Sequence, residues 1–151
     1  MTNIKKIIGG FAMAATIALV PMTTHADDQD TIDYRKQVMS SLGAQAAALF
    51  MTLQQKAPAE NFASHVKALA VNSTQALKAF EPNVEGGTGK GDAMPKIWSN
   101  WDDFSAKMNE FVEKMAALDK AAQEGGMAAA APLVQESFTC KGCHDEYRYA
   151  E

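Results

Sequence analysis

Cysteine is scarce in this sequence, because Cys140 and Cys143 are the only two among 151 residues. A bridge between two residues so close together closes almost no loop and adds little stability. The chain is therefore not a small domain held together by disulfides. We expect both cysteines to be present for chemistry.

Positive charge is also in short supply. The chain has 14 Lys and Arg residues against 18 Asp and Glu residues, and its formal net charge is -4. Nucleic acid is not an expected partner, because its phosphates require a basic face. An acidic surface favours basic or neutral partners instead.

With 47% hydrophobic and 21% charged residues, the chain can bury a core and is not a disordered protein.

Long apolar runs are lacking except near the N-terminus. Residues 7–20 carry no charge and follow two lysines. Small residues then occupy the positions that a signal peptidase inspects. Residues 1–26 are therefore predicted to be a signal peptide that is cleaved after Ala26. The run is shorter than the roughly 20 residues that span a bilayer, and Pro21 ends it. We expect export to the periplasm, no membrane span, and one mature domain over residues 27–151. Removing the two leader lysines changes the formal charge from -4 to -6.

Alternation of period two, which marks strands, is nowhere convincing, whereas apolar residues recur at helical spacing four times. Helices are predicted over about 31–56, 59–80, 101–122 and 127–149. A glycine-rich run at 85–91 separates the second pattern from the third. Four helices joined mostly by short connections predict an all-α, antiparallel, up-and-down four-helix bundle.

The ends of these helices carry local signals. Asp30 or Thr31 is the expected N-cap of the first helix, and Pro58 is expected to stop it. Gly125-Gly126 is expected to terminate the third helix. Pro132 lies inside the fourth pattern, so that helix either begins near it or is kinked in its first turns.

The chemistry is concentrated in the run Cys140-Lys141-Gly142-Cys143-His144. Two thiols one helical turn apart can add to the two vinyl groups of haem, and the adjacent imidazole is then delivered to the iron as an axial ligand. A thioredoxin-like pair would open a helix after a strand, and a zinc site would need further ligands, for which only His65 remains in the mature chain. The sequence therefore predicts one covalent haem c, and the signal peptide supplies the export that its attachment requires.

The sixth coordination position of the iron decides the function. An open position favours binding of small ligands, whereas a Met/His pair favours electron transfer. Met39 is the candidate for the sixth ligand. It lies in the apolar stripe of the first helix, and antiparallel packing against the fourth helix would bring it level with the haem-binding run. His65 lies off the stripe of its helix and is interpreted as a surface histidine. Met51, Met108 and Met115 are interpreted as core residues.

These residues resemble the class II cytochromes c, the four-helix-bundle family of cytochrome c′ and its low-spin relatives. The resemblance covers essentially the whole mature chain and includes the C-terminal position of the haem-binding run. It is carried by Cys140 to His144 followed by Arg148, by Tyr34-Arg35 and Met39 in the first helix, and by Met94-Pro95-Lys96-Ile97-Trp98 after the glycine-rich run.

The resemblance implies a role for each matching residue around the haem. Cys140 and Cys143 would form the thioethers, and His144 would be the fifth ligand, with Arg148 beside it on its solvent side. Arg35 and Lys36 would lie near the haem edge, where a cation can pair with a propionate, and Glu85 would match a loop residue near the haem.

Met39 matches the position that covers the distal face of the haem. In low-spin relatives a methionine at this position is the sixth ligand, while in high-spin members a residue there blocks the iron without bonding to it.

Two functions follow from these two states of the iron. The first expectation is a periplasmic electron carrier with His144 and Met39 as axial ligands, whose acidic surface docks on basic patches of redox partners. The alternative is a five-coordinate haem that binds nitric oxide or carbon monoxide, with Met39 as a steric gate. An enzyme is not expected, because no distal histidine is evident. The family often forms dimers, so a homodimer through helices one and two is also an expectation.

Overall fold

The computed structural model describes residues 27–86 and 89–150. The predicted signal peptide, residues 1–26, lies outside the described residues. The described chain contains a 3-10 turn at Ala59–Asn61 and the helices α1 (Asp28–Leu53), α2 (Phe62–Phe80), α3 (Lys96–Ser99), α4 (Trp101–Ser137) and α5 (Cys140–Tyr147). Its only extended pairing is an isolated antiparallel bridge between Ala93 and Arg148. The all-α prediction is confirmed, and none of the described helices is long and apolar enough to cross a membrane.

The long helix α4 is bent where the sequence predicts a break. Gly125 and Gly126 have non-helical backbone angles, and Gly126 lies at φ 63, a conformation that favours glycine. A Cβ at Gly125 would stand 2.6 Å from the Cβ of Ala129. The two glycines therefore divide α4 into the third and fourth members of the bundle. Pro132 lies inside the second segment, which stays helical around it.

The first helix differs from its prediction at both ends. Its N-cap is Asp27, whose Oδ1 accepts a hydrogen bond from the Asp30 backbone N–H at 2.8 Å, so the expectation of Asp30 or Thr31 was wrong by one turn. The helix ends at Leu53, before Pro58 is reached, because Gln55 takes a left-handed conformation with φ 59. A left-handed residue just after the last turn is a common helix terminator.

The fourth predicted helix, 127–149, is interrupted in the structure. Phe138 and Thr139 leave the helical conformation, and the Phe138 ring packs on Phe50 of α1 with 5.0 Å between ring centroids. The chain becomes extended at Arg148, where it pairs with the loop before α3. The short helix α3 was not predicted.

The core lies around α2, which packs on α1 along one side and on α4 along the other. Its largest fully buried apolar side chains include Leu49, Phe62, Leu69, Met115 and Leu118. By contrast, α1 and α5 have little direct contact and face each other across a cavity. The bundle is thus well packed on one side and open on the side that carries the haem-binding run.

Candidate functional site

A cavity of about 870 Å³ separates α1 from α5. This volume is within the range of about 300–1,000 Å³ that is usual for ligand and cofactor sites. The predicted site residues that line it are Arg35, Lys36, Met39, Cys140, Cys143, His144 and Arg148. Glu85 is exposed and does not line the cavity, although its neighbour Gly86 does. The fold therefore brings together all the predicted site residues except Glu85.

The haem-binding run forms the short helix α5. Its first residue is Cys140, so that Cys143 follows after one turn and His144 comes next on the same helix. Both thiols are free, and desolvation by the surrounding protein raises the pKa of each. A thioredoxin-like pair needs a lowered thiol pKa and a preceding strand, whereas here α4 precedes the run. The local structure therefore favours the haem interpretation of the two cysteines over the redox one.

The end of α5 is held by backbone pairing with the loop before α3. Gly91 N donates to Tyr149 O at 3.0 Å, Tyr149 N donates to Asp92 O at 2.9 Å, and Met94 N donates to Tyr147 O at 2.9 Å. These bonds satisfy backbone groups that a continuing helix would have used. They also fix Arg148 at the cavity wall, next to the run that carries the cysteines.

A polar network under α5 ties it to the start of α4. The buried Tyr147 hydroxyl donates to the Asp103 carboxylate and accepts from Asn100 Nδ2 at 2.9 Å. Lys107 pairs with Asp103 and lies 3.6 Å from a Glu146 oxygen. The Tyr147 ring also packs edge-on against Phe104, with 5.2 Å between centroids. Sequence reasoning missed these residues, for which the only signal was the i, i+4 spacing of Asp103 and Lys107.

This network predicts a loss of stability at alkaline pH. Desolvation, together with the hydrogen bond to Asp103, raises the pKa of Tyr147 to about 12, above the value of about 10 in unfolded chains. The unfolded state therefore releases this proton at a lower pH than the folded state. The contribution of the Tyr147 hydroxyl to the free energy of unfolding is complete below about pH 10 and is lost as the pH rises towards 12. Tyr147→Phe should lower the neutral-pH unfolding free energy by about 1 kcal/mol.

Denaturant unfolding across this pH range tests the prediction. Tyr147→Phe should flatten the alkaline decline, whereas the control Tyr149→Phe, two residues further on, should keep it. Equal alkaline slopes in Tyr147→Phe and the unsubstituted protein would refute the role of this hydroxyl.

Arg35 presents an unusual buried cation to the cavity. The residue is 3% exposed, and its guanidinium lies 5.2 Å from the Phe80 ring centroid and 5.0 Å from that of Trp98. Its Nη2 donates to the Val84 carbonyl oxygen at 2.8 Å, but its buried Nη1 has no hydrogen-bond partner among the described residues. Burial lowers the pKa of this group. Since a buried unpaired donor is costly, Nη1 fits an anionic group held in the cavity, such as a haem propionate.

Lys36 is engaged differently from Arg35. Its Nζ lies 2.8 Å from Asp92 Oδ1, and Asp92 also accepts from Gly89 N at 3.0 Å. These contacts, led by the hydrogen bond from Lys36, lower the pKa of Asp92. Lys36 therefore joins α1 to the loop before α3, and Arg35 is the cation better placed for a propionate.

The wall opposite α5 is mainly apolar. Met39 is half-buried on α1 and packs against the core, and Met108 of α4 also reaches the cavity from the core. Met115 is a core residue as expected, but Met51 is 48% exposed, so its assignment to the core was wrong. His65 is half-buried and lies 2.9 Å from Gln45 Oε1, so it is a contact between α1 and α2 rather than a freely solvated surface residue.

Comparison with known proteins agrees with this geometry. The family model described as Cytochrome C' matches residues 30–148. Cytochrome c' of Rhodospirillum rubrum is 30% identical over 141 residues, covering 90% of this chain and 95% of that protein. Cytochrome c-556 of Agrobacterium tumefaciens is 31% identical over 121 residues, covering 78% and 95%.

A solved structure extends the comparison to three dimensions. The nitric oxide complex of a mutant cytochrome c prime from Alcaligenes xylosoxidans superposes with a TM-score of 0.72 at 28% identity, covering 83% of this chain and 98% of that one. Proteins of this family carry covalently attached haem c with its iron, in agreement with the predicted cofactor. The fold, the cavity with its Cys-x-x-Cys-His helix and these matches lead to one conclusion: the chain belongs to the cytochrome c' family.

Proposed function

We propose that this chain is a periplasmic haem c protein whose five-coordinate iron binds nitric oxide or carbon monoxide. The observation that carries this proposal is the mainly apolar cavity wall opposite α5, where Met39 lies and where the described lining residues other than His144 include no histidine. A neutral diatomic ligand is compatible with a mainly apolar surface of this kind. The similarity to a cytochrome c prime solved with nitric oxide supports the same function.

Each residue role follows from its place on the cavity wall. Cys140 and Cys143 would hold the haem covalently, and His144 on the same helix would bind its iron. When bound, the haem supplies an iron centre that takes up a diatomic gas. Met39 would cover the iron from α1, and Arg35 would offer its unpaired Nη1 to a propionate. No catalysed reaction is proposed, because His144 is the only histidine among the described residues that line the cavity.

Electron transfer through a His144–Met39 pair was the first expectation from the sequence. The comparisons give this ligation no support and favour the alternative, although the family as a whole includes electron-transport proteins. Bonding of Met39 to the iron is therefore the outcome that would overturn the proposal.

Arg35→Leu tests the role of the buried guanidinium. If Nη1 binds a propionate, the substitution should lower the unfolding free energy of the haem-loaded protein by about 2 kcal/mol, as expected for a hydrogen bond to a charged group. Equilibrium unfolding in guanidinium chloride measures this change in the free energy of unfolding. The control Lys36→Leu removes the neighbouring cation, whose side chain is 54% exposed although its partner Asp92 is only 12% exposed, and should cost about 1 kcal/mol. Equal effects of the two substitutions would contradict the assignment.

Met39→Ala tests the proposed coordination. With a five-coordinate iron, the absorption spectrum of the ferric protein should be high-spin before and after the substitution, because no bond to the iron is lost. The control is Met51→Ala, which removes an exposed methionine from the same helix. A change from a low-spin to a high-spin spectrum in Met39→Ala alone would identify Met39 as the sixth ligand and overturn the proposal.

A further inference from the structure

A short segment before α3, residues 91–95, bridges α1 and the end of α5, and we call it the edge segment. Gly91 and Asp92 of this segment line the cavity. Three backbone hydrogen bonds, of 2.9 to 3.0 Å, join it to Tyr147 and Tyr149. The edge segment is therefore fastened to the side of the cavity that carries the haem-binding run.

The link from the edge segment to α1 is of a different kind. Lys36 Nζ lies 2.8 Å from Asp92 Oδ1, and both residues line the cavity. The Lys36 side chain is 54% exposed, whereas that of Asp92 is 12% exposed. The guanidinium of Arg35 also joins α1 to this region, but it stacks on Trp98 and is buried. The Lys36–Asp92 ion pair is thus the part of this contact that solvent and salt reach.

The two links differ in how easily they break. Three backbone bonds must open together to release the edge segment from the end of α5. An ion pair with a half-exposed lysine contributes little and is weakened by salt. Weak contacts of this kind are the ones at which folded proteins open locally. Opening of this edge should therefore start between Lys36 and Asp92.

We propose that the Lys36–Asp92 ion pair is a latch at the edge of the cavity, and that it opens to admit a diatomic ligand. The edge segment stays on α5 during this opening, and Arg35 stays stacked on Trp98. The inference rests on the proposed function, because the latch affects uptake only if the iron takes up an external ligand.

Salt should speed ligand uptake if the latch limits it. Carbon monoxide is uncharged, so salt does not act on its approach through electrostatic steering. Between about 0.01 M and 1 M salt, the screening length falls from about 30 Å to about 3 Å, which weakens the ion pair. We expect the association rate of carbon monoxide with the ferrous haem-loaded protein to rise across this range, as measured by flash photolysis.

Lys36→Gln and Asp92→Asn remove the ion pair from either side. Each should raise the association rate at low salt by up to about fivefold, which corresponds to about 1 kcal/mol at about 1.4 kcal/mol per factor of ten. Each should also abolish the salt dependence, and the double variant should match the single ones, because all three act on one contact. Lys36→Gln changes a half-exposed side chain and decides the test even if Asp92→Asn does not fold.

Lys67→Gln is the matched control. Lys67 Nζ lies 3.1 Å from Asp119 Oδ2, and the two side chains are 60% and 14% exposed, so this pair closely matches the exposure of the latch. It joins α2 to α4, and neither residue lines the cavity. Lys67→Gln should keep both the uptake rate and the salt dependence of the unsubstituted protein.

Hydrogen exchange gives a readout that does not depend on gas binding. The amides of Gly91, Met94 and Tyr149 donate the backbone bonds that hold the edge segment to the end of α5. In Lys36→Gln these amides should stay as protected as in the unsubstituted protein, because the edge segment stays on α5. Loss of their protection would mean that the segment detaches from α5, and would overturn the latch.

The uptake rates separate the latch from the proposed function. Unchanged uptake in Lys36→Gln, or equal acceleration in Lys67→Gln, would overturn the latch and leave the proposed function intact. Faster uptake in Lys36→Gln without any change in a folded Asp92→Asn would show that Lys36 acts on the haem rather than on Asp92, and this also overturns the inference. Absence of carbon monoxide uptake by the unsubstituted protein would overturn the proposed function together with the inference.

Discussion

Replacing Cys140 and Cys143 together with alanine is expected to abolish covalent haem attachment. The two thiols are the only ones in the chain, and both line the cavity on the helix that also carries His144. Without them, no thioether to a haem vinyl group can form. Any haem that remains is held by the histidine and by packing alone, and it should separate from the protein on denaturation.

The measurement is the intact mass of the denatured protein after expression with the haem-attachment machinery. Each single substitution should still permit one thioether, so either single variant should retain haem in part. The control Lys141→Ala, an exposed residue within the same run, should retain all of it. Covalent haem in the double variant would contradict the assignment of these cysteines.

Omission of haem should have the second large effect, because the cavity is too large for the bundle to keep empty. Without haem, the mainly apolar side chains that line this cavity of about 870 Å³ would face water instead of the cofactor, and exposed apolar surface is unfavourable. A typical domain is stable by only about 5–15 kcal/mol, so loss of the packing against haem removes a large part of that stability. We therefore expect the haem-free chain to lose its specific packing.

Circular dichroism of the haem-free double cysteine variant tests this expectation. The far-ultraviolet signal should remain helical, while the near-ultraviolet signal of Trp98 and Trp101 should weaken and a hydrophobic dye should bind, as in a molten globule. The haem-loaded Lys141→Ala variant provides the comparison. A haem-free chain that unfolds cooperatively with a native near-ultraviolet spectrum would contradict the role of haem as part of the core.

The features that the sequence predicted correctly are local ones. The apolar spacing of each helix, the break at Gly125-Gly126 and the Cys-x-x-Cys-His run each depend on residues within a few positions of one another. Such signals can be read from one segment, because helix periodicity and glycine conformations do not require the rest of the chain.

The features that the sequence did not predict depend on contacts between distant segments. Tyr147 meets Asp103 only because α5 folds back on the start of α4. The pairing of Gly91 and Asp92 with Tyr149 ends the last helix at Tyr147, two residues before its predicted end. Likewise, the buried Nη1 of Arg35 becomes recognisable only when its surroundings are known.

The expected partner surface is unaffected by these corrections. The mature chain would carry a formal charge of -6, so docking to basic redox proteins stays a prediction. A homodimer through α1 and α2 also stays a prediction. They are compatible with a gas-binding haem as well as with an electron carrier.

Titration of the ferrous haem-loaded protein with carbon monoxide, followed by absorption spectroscopy, tests the central claim most directly. A five-coordinate iron covered but not bonded by Met39 predicts a high-spin spectrum before the titration and saturable formation of a single low-spin carbon monoxide complex. A low-spin spectrum at the start that does not change on addition of carbon monoxide would mean that the sixth position is closed, and would contradict the account.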